Sequence, residues 1–89
     1  MNPIIRLWKV ADGKKIRQLQ APGTQVMALA FAPTGNALAS GSKDGPVVLW
    51  DPASGAKHWE SKQVGDVWAL AFAPDGKTLA VGSASRKPD

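Results

Sequence analysis

VMALAFAPTGNALASGS, Val26 to Ser42, returns 41 positions later as VWALAFAPDGKTLAVGS, Val67 to Ser83, with 12 of 17 residues identical. A second pairing at an offset of 42 sets Leu7, Trp8 and Gly13 against Leu49, Trp50 and Gly55, so the repetition reaches nearly the whole chain. Self-similarity at a spacing of roughly 20 to 50 residues marks one supersecondary unit that cannot bury its own faces and must stack on copies of itself.

Each copy reads as four short strands. Val26 to Ala32 is apolar on both sides, the pattern of a strand covered on both faces, and it is too short for a typical helix. Ala32-Pro33-Thr34-Gly35 and Ala73-Pro74-Asp75-Gly76 supply turn chemistry, with proline presetting φ and glycine free to take φ > 0. The return strand, Ala37 to Ser42, recurs as Thr78 to Ser83; its small residues let it lie close to a neighbouring layer. After Lys43-Asp44-Gly45, Pro46 stands at the mouth of the third strand, Val47 to Trp50, where its missing N–H matters least. Asp51 to Gly55 is a polar loop, and the fourth strand, Ala56 to Ser61, matches Lys14 to Gln20.

A period near 41 made of four strands, an F-x-P-[TD]-G turn, LASGSKDG and then VVLWD resembles the WD-repeat β-propeller family. The resemblance covers residues 4 to 83, with the Leu-Trp-Asp signature at Leu49-Trp50-Asp51. It implies an all-β fold of four-stranded antiparallel blades packed face to face around a channel, first strand innermost. The family's Gly-His pair ahead of the first strand is replaced by Ala21-Pro22 and Lys62-Gln63. Of the hydrogen-bonded set that the histidine joins in many members, Ser40, Asp44 and Trp50 remain in one copy. In the other, Trp8 remains while Val81 and Ser85 replace the serine and aspartate. The resemblance therefore implies blades held more by apolar packing, with Trp8, Trp50, Ser40, Asp44, Phe31 and Phe72 as packing residues, than by a buried polar network.

The phase of the repeat sets the expected organisation. Residues 1–20 are the third and fourth strands of a shared blade, 26–61 a complete blade, 67–83 the first and second strands of a shared blade, and 84–89 a tail. The two half blades expose complementary edges, with Ile4, Ile5, Leu7 and Trp8 on one and Leu79, Val81 and Ser83 on the other, an invitation to pairing between chains. Two blades cannot close a ring, because propellers need roughly 4 to 8. Head-to-tail copies make rings where the rotation closes, so the expected partner is the chain itself, as a cyclic homo-oligomer of four chains and eight blades, or else three chains and six. The Asn2-Pro3 start inside a repeat and the Ser85 to Asp89 end read as the ends of a piece of a longer propeller, excised or engineered, or of a short gene assembling in the same way.

Composition narrows the function classes. No apolar run approaches the roughly 20 residues of a membrane span, and no basic-then-apolar leader precedes the repeat, so the expectation is a soluble, cytoplasmic protein with no membrane contact. Cysteine is absent and His58 is the single histidine, so neither a hydrolase triad nor a zinc site finds its ligands, and no cofactor or metal is expected. Asp44, Asp51, Asp66 and Asp75 fall in turns, which side-chain to backbone hydrogen bonds explain. Trp8 and Trp50 recur at the repeat spacing; Trp68, next to Asp66 at the start of an inner strand, does not, and these two are the residues placed to touch a peptide on the rim. The reading is a non-catalytic, self-assembling scaffold for protein interaction.

The alternative is a basic ring for nucleic acid or other polyanions. The excess of the net charge of +4 lies in residues 1 to 20, where Arg6, Lys9, Lys14, Lys15 and Arg17 stand against Asp12. Lysine and arginine also guard water-facing strands against aggregation, and no run of aromatic stacking residues interleaves these charges, so nucleic acid is not the expected partner. Binding to duplex DNA should accordingly be no tighter than about micromolar near physiological salt and should fall steeply as salt is added. Fluorescence anisotropy across a salt series checks this, and salt-tolerant, sequence-selective binding would contradict it.

Overall fold

The repeated hairpin is reproduced in the backbone of the computed structural model, which describes residues 3–63 and 65–84. Ala32 N donates to Ala37 O at 2.9 Å and Gly35 N to Ala32 O at 2.8 Å; Ala73 N donates to Thr78 O at 2.8 Å and Gly76 N to Ala73 O at 2.9 Å. Gly35 and Gly76 close these turns at φ of 76° and 72°, a region that a side chain strains. The other loop repeats likewise: Gly13 N donates to Lys9 O at 2.8 Å and Gly55 N to Asp51 O at 2.7 Å.

These turns join eight strands: β1 (Ile4–Trp8), β2 (Lys15–Gln20), β3 (Gln25–Phe31), β4 (Leu38–Lys43), β5 (Pro46–Trp50), β6 (Lys57–Gln63), β7 (Asp66–Phe72) and β8 (Leu79–Ala84). They form three antiparallel sheets, β1-β2, β3-β4-β5-β6 and β7-β8, and the described residues contain no helix. The fold is all-β, as read from the sequence, and its antiparallel sheets are consistent with WD-type blades. Ser85, one of the two replacements in the weaker copy, lies outside the described residues, as do 86–89.

Two irregularities decide which side chains face which neighbour. In β3 the register shifts between Val26, paired with Ser42, and Ala28, paired with Gly41; β7 shifts likewise between Val67, paired with Ser83, and Ala69, paired with Gly82. One extra residue there turns the alternation over. Directly paired residues lie on the same side of a ladder, so Val26, Leu29, Phe31, Leu38, Ser40, Val48 and Trp50 share one face of the four-stranded sheet. Ala28, Ala30, Ala39, Gly41, Val47 and Leu49 share the other.

Each face meets a different sheet. On the first, Leu38, Val48 and Trp50 form one cluster with Ile5 and Leu19 of β1-β2, with Leu7 and Val26 at its margin. The indole Nε1 of Trp50, 3% exposed, donates to Ser40 Oγ at 2.9 Å, which satisfies the ring's one polar atom in the interior. On the second face Val67 of β7, fully buried, sits on Gly41. A Cβ added at Gly41 would stand 2.3 Å from Val67 Cγ1, so the missing side chain is what lets the two sheets touch at this point.

β3 differs from the sequence expectation of a strand covered on both sides. Leu29 is 50% and Phe31 57% exposed, because β1-β2 covers the first face only toward β4 and β5. Gly41→Ala should destabilise the chain by about 1 to 3 kcal/mol through overpacking, and Val67→Ala in the same chain should recover much of that loss. A double-mutant cycle by urea denaturation measures the coupling; simple additivity of the two changes would contradict the packing described.

Candidate interaction surfaces

The residues expected at the edges lie on one strand of each of the two-stranded sheets. Among the described residues β1 pairs with β2 alone and β8 with β7 alone, so β1, with Ile4, Ile5, Leu7 and Trp8, and β8, with Leu79, Val81 and Ser83, each have one neighbour there. Ile5 is buried, Leu7 half-buried and Trp8 56% exposed; along β8, Val81 and Ser83 are exposed and Leu79 is half-buried. Trp8 and Trp50, equivalent in the repeat, thus differ in setting: Trp50 is enclosed beside Ser40, whereas Val81, the repeat counterpart of Ser40, lies on β8, in a different sheet from Trp8.

Beside β1 the structure opens into a cleft of about 430 Å³, lined by Ile5, Leu7, Trp8, Ile16, Leu29, Phe31 and Leu38 among others. It lies between the β1-β2 sheet and the uncovered end of β3. Leu29, half-exposed in this cleft, was missed as a site residue because a leucine in an apolar strand looks like core; the bulge at Met27 is what turns it outward with Phe31. Phe72, at the same repeat position as Phe31, is half-buried against the covered face.

Trp68 and Asp66 lie at the start of β7. Trp68 is the extra residue of the bulge and is 59% exposed, while Asp66 Oδ1 accepts the backbone N–H of Asp44 at 3.1 Å. Asp44 holds the one described non-glycine φ above zero, 53°, so Asp66 braces that turn, and the Trp68 side chain two residues on is exposed. Asp51, last of the Leu-Trp-Asp run, accepts the Ala53 N–H at 2.9 Å, and this bond holds its carboxyl below the usual carboxylate range. Its role is to close the β5-β6 loop.

The basic segment divides. Arg17 reaches across to the Ala53 carbonyl and Lys15 Nζ donates to Gln18 Oε1 at 2.7 Å, while Arg6, Lys9 and Lys14 are exposed. Among the described residues, no three His, Cys, Asp or Glu side chains converge as a metal site would need, and His58 is exposed on β6. Trp50→Ala should cost about 3 to 5 kcal/mol, as for other buried large-to-small changes, and Trp68→Ala under about 1 kcal/mol. Chemical denaturation of the two variants makes the comparison, and equal losses would contradict the placement of the rings.

The family model "WD domain, G-beta repeat" matches residues 13–51 and 57–87. Nuclear distribution protein nudF of Aspergillus flavus is 42% identical over 52 residues, which make up 57% of this chain and 11% of that protein; nudF of Aspergillus oryzae matches equally. Coronin-7 of Rattus norvegicus is 40% identical over 50 residues, 56% of this chain and 5% of that protein. The chain therefore spans only a small part of the length of these curated relatives.

Proposed function

The chain belongs to the WD-repeat family of G-beta type, and from that premise we propose that it is a non-catalytic protein-interaction module that completes its blades by sharing strands, head to tail, with other copies of itself. The observation that carries this reading is the pair of two-stranded sheets with complementary single-neighbour edges. Within the chain, β4 and β5 pair as Leu38 with Trp50, Ala39 with Leu49, Ser40 with Val48 and Gly41 with Val47. Carried over by the repeat offsets, the same register pairs Leu79 of one copy with Trp8 of the next, Ala80 with Leu7, Val81 with Arg6 and Gly82 with Ile5. All four ladder positions fall inside β8 and β1 as they stand.

The described residues of each copy bring eight strands, the content of two blades, so closed rings of copies have an even number of blades. Four chains with eight blades is the favoured ring and three chains with six the second, within the roughly 4 to 8 blades that propellers use. On the rim of such a ring Trp68 and Asp66, two residues apart at the start of β7, offer an exposed aromatic and a carboxylate to a peptide ligand. Ser40, Asp44, Trp50, Phe31 and Phe72 serve to hold blades together. No enzymatic step is assigned, since the inner strands carry Ala28, Ala30, Ala69 and Ala71 where an active site would gather polar groups.

The chain at micromolar concentration should run as a closed oligomer by light scattering and native mass spectrometry, and its melting midpoint should rise with concentration, as mass action requires. Arg6→Pro should abolish assembly: Pro3, Leu7 and Lys9 direct their backbone groups to the β2 side, so the Arg6 N–H faces the open edge of β1, and its loss spares the hairpin while removing a donor to β8. A folded monomer of 9.4 kDa with a concentration-independent midpoint would overturn the reading, and would leave flanking repeats of a longer polypeptide as the occupants of the cleft.

A further inference from the structure

One seam between sheets is filled within the chain, and its residues recur, unchanged in type, on two surfaces where Val26 is half-buried and Leu29, Phe31, Ala69, Ala71, Ala80 and Gly82 are exposed. In the filled seam, the β7 face that carries Val67, Leu70 and Phe72 lies on the β3-β4 face that carries Ala28, Ala30, Ala39 and Gly41. Forty-one residues apart, Val26, Leu29 and Phe31 repeat the first set, and Ala69, Ala71, Ala80 and Gly82 repeat the second. All seven residue types are the same, although 5 of the 17 positions of the repeat have changed.

The glycines separate the two cases. Gly41 has no room for a side chain, since Val67 already lies where its Cβ would go. Gly82 has room: the nearest atom to an added Cβ is Ala69 Cβ at 3.6 Å, ordinary van der Waals contact. Gly82 has no positive φ to explain it either, and glycine in a strand interior lowers its stability unless another backbone or side chain comes close. Nothing among the described residues requires glycine at this position, whereas a second copy of the filled seam would.

Resting on the strand-sharing reading above, we infer that the face of β7-β8 that carries Gly82 is the docking surface for β3 of a second copy of this chain, with Val26 of that copy seated on Gly82 as Val67 is seated on Gly41. Leu29 and Phe31 of the second copy then come down over Ala69, Ala71 and Ala80, and the apolar cleft beside β1 is filled by the first copy's hairpin. The occupant is a second copy because its surface already matches the bare one, residue for residue, in a packing that the chain itself displays. The contact is also heterologous, since the two surfaces differ, so copies join head to tail.

Two variants and their mixture test this. Gly82→Ala places a methyl group where Val26 must sit and should weaken association about tenfold or more at each seam; Phe31→Asp should do the same from the opposite surface. Each alone should run as a monomer in native mass spectrometry at concentrations where the parent chain is fully assembled. Mixed, the two retain one intact seam, formed by β8 of the Phe31→Asp chain and β3 of the Gly82→Ala chain, and should give a discrete one-to-one heterodimer with a gain in strand signal by circular dichroism. That gain keeps the test valid even where a lone variant is unfolded. Variants that assemble as well as the parent, or a mixture that forms no heterodimer, would overturn the seam while leaving strand sharing intact. A parent chain that is monomeric would remove both.

Discussion

A four-stranded sheet that is apolar on both faces has to be covered twice, and the arrangement of this chain follows from that requirement. The β3-β4-β5-β6 sheet buries Leu38, Val48 and Trp50 under β1-β2 and sets Gly41 against Val67 of β7 on its other side. The second contact fixes how closely the sheets approach. It is possible only because the return strand is built of alanine, serine and glycine, which bring one backbone near the side chains of the next layer. Where no neighbour is present, the same sheet leaves Leu29 and Phe31 half-exposed.

Much of this was legible in the sequence, because the signals that matter are local. The turns at Pro33-Thr34-Gly35 and Pro74-Asp75-Gly76 announce their geometry in their residue types, and Pro46 falls at the first position of β5, where a proline is tolerated. The faces were not legible. Strict alternation groups Val26 with Ala28 and Ala30, whereas the bulge at Met27 groups it with Leu29 and Phe31. A bulge has no fixed residue signature, and this one is occupied by Met27 in one repeat and Trp68 in the other. The reach of Arg17 to the Ala53 carbonyl was equally hidden, since it joins two sheets through residues 36 apart in sequence.

The two copies of the repeat have diverged where the chemistry of the blade changes and stayed alike where sheets meet. Ser40, which accepts the Trp50 indole proton, is replaced by Val81, so the Trp8 indole has no equivalent hydroxyl to meet across a shared blade. Turn residues vary as well, Thr34 against Asp75 and Asn36 against Lys77, as water-facing positions allow. Val, Leu, Phe, Ala and Gly at the seam are the same in both. On the proposed reading this pattern is what one interface used twice demands, once within the chain and once between copies.

Amide hydrogen exchange along β8 tests the central claim most directly. A strand paired on both sides keeps its N–H groups from water, while a strand with one neighbour leaves every second one open. At assembling concentrations the account predicts protection for Leu79 to Ala84 as strong and as continuous as that of Leu38 to Lys43, and its loss on dilution. An alternating pattern along β8, unchanged by concentration, would contradict it.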